Sequence, residues 1–230
     1  MDATVNNINY RLNKSKKTAT VDSLASLNEK DIIIPEYILV AEDTYVVKKI
    51  AKKAFYLAQI DSVVVPFSLE EIEGYAFWGS SLHSFIRTKS GRPLHISGYA
   101  FASCPRLERV MFNGDVMVES CAFENSHMLR SLDSQNIYGS IKVDAFRNCS
   151  GLKDFTFSTN ISDIQIGAFT NVKLDSATFP DGNINFSFSH DILEALKSAR
   201  ILCSDTNEVC CNLAYQGYRV IPEYDDWLPF

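Results

Sequence analysis

A chain of 230 residues can bury a sizeable core without disulfide staples, and 46% hydrophobic with 22% charged residues is the composition of a soluble globular protein. Its 22 Lys plus Arg against 28 Asp plus Glu leave a net charge of -6 with no basic stripe, which argues against nucleic acid as a partner. No apolar run approaches the ~20 residues of a membrane span.

The first residues, Met1 to Asn7, lack a basic segment followed by an apolar one, so the chain as written reads as cytoplasmic. A chain whose leader has been removed would look the same, which keeps a secreted or cell-surface location open. Four alternating segments follow: Ile8 to Leu12, Lys17 to Val21, Ile32 to Glu36 and Thr44 to Val47. Each has the period of a strand, and together they are expected to shield one end of the core.

From residue 50 the chain repeats itself. Ala-Phe recurs at Ala54-Phe55, Ala76-Phe77, Ala100-Phe101, Ala122-Phe123, Ala145-Phe146 and Ala168-Phe169, in steps of 22 to 24 residues. Four positions before each Ala stands Ile50, Ile72, Ile96, Val118, Ile141 or Ile164. Six or seven positions after it stands Ile60, Leu82, Leu107, Leu129, Leu152 or Leu174, opening an L-x-x-L-x-L-like segment. The last three positions of that segment alternate as a short half-buried strand, and recurrence at this period stacks the strands in parallel. The Phe column is read as core. Arg87 and Ser134 break the apolar pattern, so their turns are expected to be less regular.

These columns resemble the BspA-like leucine-rich repeat family, whose unit reads roughly I-x-x-x-A-F-x-x-C-x-x-L-x-x-I-x-x-P. Ile96 to Cys104 and Ile72 to Phe77 are close copies, and Pro35, Pro66 and Pro180 hold the place after the strand. The resemblance implies an α/β repeat solenoid with a curved parallel β-sheet of short strands and little helix. It further implies a β-rich N-terminal cap and a short helical C-terminal cap. One domain is expected, with the N-terminal cap at 8–49, six repeats at 50–185 and a C-terminal cap at 186–230. Apolar spacing over Asp191 to Arg200 predicts a helix at about 190–200, capped by Ser189 or Asp191.

No motif in the chain points to an enzyme. Its four histidines fall in unrelated columns, and neither H-E-x-x-H nor G-x-S-x-G occurs. Cys104 and Cys149 belong to one interior column two turns apart, too far to pair. Cys203, Cys210 and Cys211 lack the C-x2-4-C spacing of structural zinc sites, so they are read as structural thiols, and all six cysteines are expected to be free. A thiol or metal enzyme built on this tail is the alternative. No cofactor is expected.

Leucine-rich-repeat solenoids generally bind through the concave sheet. Outward positions there include Val64, Ile86 and Met111, an apolar row, with Arg109 beside it and Asp133 and Thr156 beyond. The functional expectation is a non-catalytic module that binds a protein partner around these six residues. By resemblance, some members of the family act at bacterial surfaces as adhesins or host-contact proteins, and a purely architectural repeat is a further reading. The partner's identity and the oligomeric state are not written in the sequence.

Overall fold

The computed structural model describes residues 2–26, 28–180, 188–203 and 207–222. Its strands are β1 (Asp2–Val5), β2 (Ile8–Asn13), β3 (Thr18–Leu24), β4 (Asp31–Ile33), β5 (Tyr37–Val40), β6 (Asp43–Ile50), β7 (Ser62–Val65), β8 (Glu71–Ile72), β9 (Ser84–Arg87), β10 (Leu94–Ile96), β11 (Arg109–Met111), β12 (Val116–Val118), β13 (Ser131–Leu132), β14 (Gly139–Ile141), β15 (Asp154–Thr156), β16 (Ile161–Ile164), β17 (Ser176–Thr178), β18 (Arg200–Cys203) and β19 (Val220–Pro222). Helices α1 (His190–Leu196) and α2 (Glu208–Tyr215) lie late in the chain. The parts of the expected C-terminal cap at 186–187, 204–206 and 223–230 fall outside the described residues.

The strands form two sets of parallel ladders, which makes the chain a leucine-rich-repeat solenoid. The L-x-x-L-x-L segments supply β7, β9, β11, β13, β15 and β17 to a sheet ordered β13-β11-β9-β7-β4 and continued beyond a break by β15-β17-β18-β19. The second set is β6-β8-β10-β12, and then β14-β16, and each of its strands ends on a residue of the aliphatic column, from Ile50 to Ile164. The cap strands β1, β2 and β3 extend this second set at its N-terminal end, β1 and β2 antiparallel and β3 parallel to β6. One expected cap segment has a different role: Ile32 lies in β4, which pairs with β7 and so begins the first sheet before the first Ala-Phe repeat.

Between the ladders each turn of the solenoid closes over its Phe. Successive rings from Phe55 to Phe169 lie 4.9 to 5.6 Å apart between centroids, and all six are buried. Truncating one such ring to Ala removes about 3 to 5 kcal/mol. The turn is tight because two residues per repeat adopt left-handed backbone. Immediately before Ala these are Lys53, Tyr75, Tyr99, Cys121, Asp144 and Gly167, with φ from 56° to 79°. Three residues after Ala they are Leu57, Gly79, Ser103, Asn125, Asn148 and Asn171, with φ from 55° to 67°. Asparagine tolerates this conformation better than most residues, and here it also forms a ladder. Asn148 Nδ2 donates to Asn125 Oδ1, and Asn171 Nδ2 donates to Asn148 Oδ1, both at 2.7 Å.

The small interior column bonds the repeats together. Ser126 Oγ donates to the Phe101 carbonyl at 2.7 Å, and the Cys104 and Cys149 thiols donate to the carbonyls of Phe77 and Phe123 at 3.0 Å. Burial pushes the Cys104 thiol up to about 12. Outside, Lys48 and Lys49 on β6 pair with Glu70 and Glu71 one repeat on.

Arg87 departs from the expectation of an irregular turn. Strand β9 keeps its register with both neighbours, and the Arg87 side chain is fully buried. Its Nη2 donates to the carbonyls of Phe67, Leu69 and Arg92, at 2.8, 3.2 and 2.6 Å, and so ties the segment after β7 to the segment after β9. Ser134 behaves as expected. Strand β13 stops after two residues, and a 3-10 turn over Ser134–Asn136 interrupts the sheet. The Ser134 hydroxyl bridges the gap, donating to the Thr156 carbonyl and accepting the Thr156 N–H, each at 2.9 Å.

Two cysteines correct the reading of six free thiols. Cys203, the last residue of β18, is disulfide-bonded to Cys210 in the first half of α2. The strand and the helix fold back on one another, so a separation of seven residues in sequence becomes 6.6 Å between Cα atoms. Asn207 fixes the start of this helix, accepting the N–H groups of Val209 and Cys210 on Oδ1 and donating to the Pro180 carbonyl.

Candidate functional site

The outward face of the sheet β13-β11-β9-β7-β4 carries the row expected from sequence, lengthened by one residue. Register pairs Ile33 with Val64, Val64 with Ile86 and Ile86 with Met111, so four apolar side chains stand in line across four strands. Ile33 is 70% exposed at the sheet edge, and Val64, Ile86 and Met111 are half-buried. Ile33 escapes sequence analysis because it precedes the periodic region, where nothing marks it as the first member of a repeat column.

A second row runs beside the first through Asp31, Ser62, Ser84, Arg109 and Ser131. Asp31 accepts the Ser62 hydroxyl at 2.5 Å. Arg109 is exposed, as its candidate role requires. This row therefore carries a negative group at one end and a positive group near the other, with short hydroxyls between them.

Asp133 does not belong to this face. Because β13 ends at Leu132, the backbone at Asp133 turns to φ -79° and ψ 66°, and its carboxylate swings inward. It is 8% exposed and accepts the backbone N–H groups of Phe112 and Asn113 and the Asn136 amide, at 2.9 to 3.0 Å. The carboxylate thus occupies the place where a longer strand would have bonded β11. Thr156 is half-buried and lies beyond the break, on β15, apart from the apolar row.

Among the described residues, no set of three or more His, Cys, Asp or Glu side chains is arranged to hold a metal ion. Cys121 is 7% exposed, and burial raises its thiol above the ordinary value, the reverse of what a nucleophile needs. Cys203 and Cys210 are occupied with each other. No helix among the described residues is long and apolar enough to cross a membrane.

Residues 48–116 and 94–190 match the family model of the BspA type leucine-rich repeat region, in six copies. Among solved structures, the chain is similar to a leucine rich cell surface protein from Faecalibacterium prausnitzii, at 23% identity and a TM-score of 0.67 over 88% of this chain and 54% of that one. It is also similar to the T. pallidum leucine rich repeat protein, at 17% identity and a TM-score of 0.55 over 96% of this chain and 98% of that one. The chain therefore spans about half the length of the Faecalibacterium protein. No curated protein matches it in sequence.

Proposed function

This chain belongs to the BspA type leucine-rich repeat family, and on that premise we propose that it is a non-catalytic module that docks a protein partner on the open face of its first sheet. The reading is carried by one observation, the unbroken row Ile33, Val64, Ile86 and Met111 across four hydrogen-bonded strands. A contiguous apolar row flanked by polar side chains on one side is what a recognition surface presents, and Met111 within it and Arg109 beside it are residue types enriched at interfaces. Replacing Arg109 and Met111 together with alanine is expected to weaken a crosslinked partner at least tenfold. Unchanged affinity would contradict the site.

We further propose that the protein works outside the reducing cytoplasm, as a surface or exported protein. The Cys203–Cys210 disulfide supports this, since such bonds persist in oxidising compartments. The Faecalibacterium protein of similar fold, described as a cell surface protein, agrees with it. Protease shaving of intact native cells followed by mass spectrometry tests the location. Release of peptides from this chain is expected, and recovery in the cytosol alone would contradict it.

A further inference from the structure

We propose that the segment docking on this row is an amphipathic α-helix, laid along the solenoid axis with its C-terminal end towards Arg109. The inference rests on the docking reading above and narrows it to one class of partner.

Neighbouring strands lie ~4.8 Å apart, so Ile33, Val64, Ile86 and Met111 recur at that interval along a line crossing the strands. A helix on that line presents an apolar side chain once per turn, every ~5.4 Å, through positions i, i+3 or i+4, and i+7. The mismatch of ~0.6 Å per strand is within the reach of flexible side chains such as Met111. An extended segment on the same line repeats its side chains every ~6.6 to 6.8 Å and falls out of step by a whole strand within three.

Width and length point the same way. The row is bounded along one flank by the short Ser62 and Ser84, which leaves room for a rounded element beside it. It ends after Met111, because Asp133 is turned inward. Four strands give a seat of about three helical turns, roughly 11 residues. A stable dimer usually buries about 1,200 to 2,000 Å² in total, more than a stripe of four side chains, three of them half-buried, supplies to a second copy.

The flanking row sets the direction. Asp31 stands at one end and Arg109 at the other, separated by serines. A helix carries partial positive charge at its N-terminus and partial negative charge at its C-terminus, which matches Asp31 to the first end and Arg109 to the second.

The test is selection from a display library of random 16-residue peptides against the whole chain, with Ile33→Asp and Met111→Glu variants as counter-targets. Ile33 is exposed enough for its variant to fold, and circular dichroism of both variants verifies this. Enriched peptides are expected to carry apolar residues at i, i+3 or i+4 and i+7, to gain helical signal on binding, and to bind both variants at least tenfold more weakly. A photocrosslinker at the peptide's C-terminus should label the β11 side, and labelling of the β4 side would overturn the orientation. Peptides with i, i+2 alternation that remain sensitive to the variants would overturn the helical class and leave the docking face standing. Peptides indifferent to the variants, or no enrichment over an unrelated protein, would overturn both.

Discussion

The Asp191 carboxylate accepts the Phe169 backbone N–H at 2.9 Å, in the place that an alanine carbonyl occupies in every earlier repeat. Phe55, Phe77, Phe101, Phe123 and Phe146 donate to the carbonyls of Ala76, Ala100, Ala122, Ala145 and Ala168. At the last Phe no further Ala-Phe follows, and the first turn of α1 supplies an acceptor from its side chain. The Leu174 N–H donates to the Ala195 carbonyl of the same helix, so α1 joins the last repeat by backbone contact as well, while the first sheet runs on through β18 and β19.

Asp191→Ala should therefore leave the Phe169 N–H without its acceptor and cost about 1 to 3 kcal/mol. Asp191→Asn keeps a carbonyl oxygen and should cost less. Urea unfolding reads the difference, and amide exchange should show the loss concentrated at Phe169. Equal cost for both variants would mean that charge at the helix start, rather than the hydrogen bond, is what Asp191 contributes.

At Asn148 two properties can be separated. Its left-handed backbone, φ 61°, suits glycine, and its amide joins the bonds to Asn125 and Asn171. Asn148→Gly loses only the ladder, whereas Asn148→Ala loses the ladder and adds backbone strain. The alanine variant should be the less stable of the two by about 1 to 2 kcal/mol in denaturant unfolding.

The disulfide predicts a thiol count. Protein taken from native cells without reductant and unfolded should titrate four thiols, rising to six after reduction. In the folded state at pH 8, Cys104 and Cys149 should be silent, because burial raises both thiols well above that pH. Reduction should lower stability by about 2 to 3 kcal/mol, the loop-closure value for so short a loop. Six thiols before reduction would contradict the bond and the proposed compartment together.

The Phe, Ala, Leu and aliphatic columns are legible in the sequence because burial demands the same apolar type at the same step in every repeat. The left-handed columns are harder to see, since a backbone conformation is shared by side chains as unlike as Lys53, Cys121 and Gly167. Asp133 misleads because alternation assumes that the strand continues, and this one stops at Leu132. Ile33 is hidden because β4 enters the sheet from outside the periodic region. Spacing alone does not reveal the Cys203–Cys210 bond, which depends on α2 folding back against β18.

The most direct measurement places a photocrosslinking residue at Met111 and, separately, at Ile166, an exposed apolar position just beyond β16 in the other ladder, and irradiates native cells. Docking on the open face predicts a discrete protein adduct from position 111 that Ile33→Asp suppresses, and none from position 166. Adducts of equal yield from both positions, or an adduct from 111 undiminished by Ile33→Asp, would contradict it.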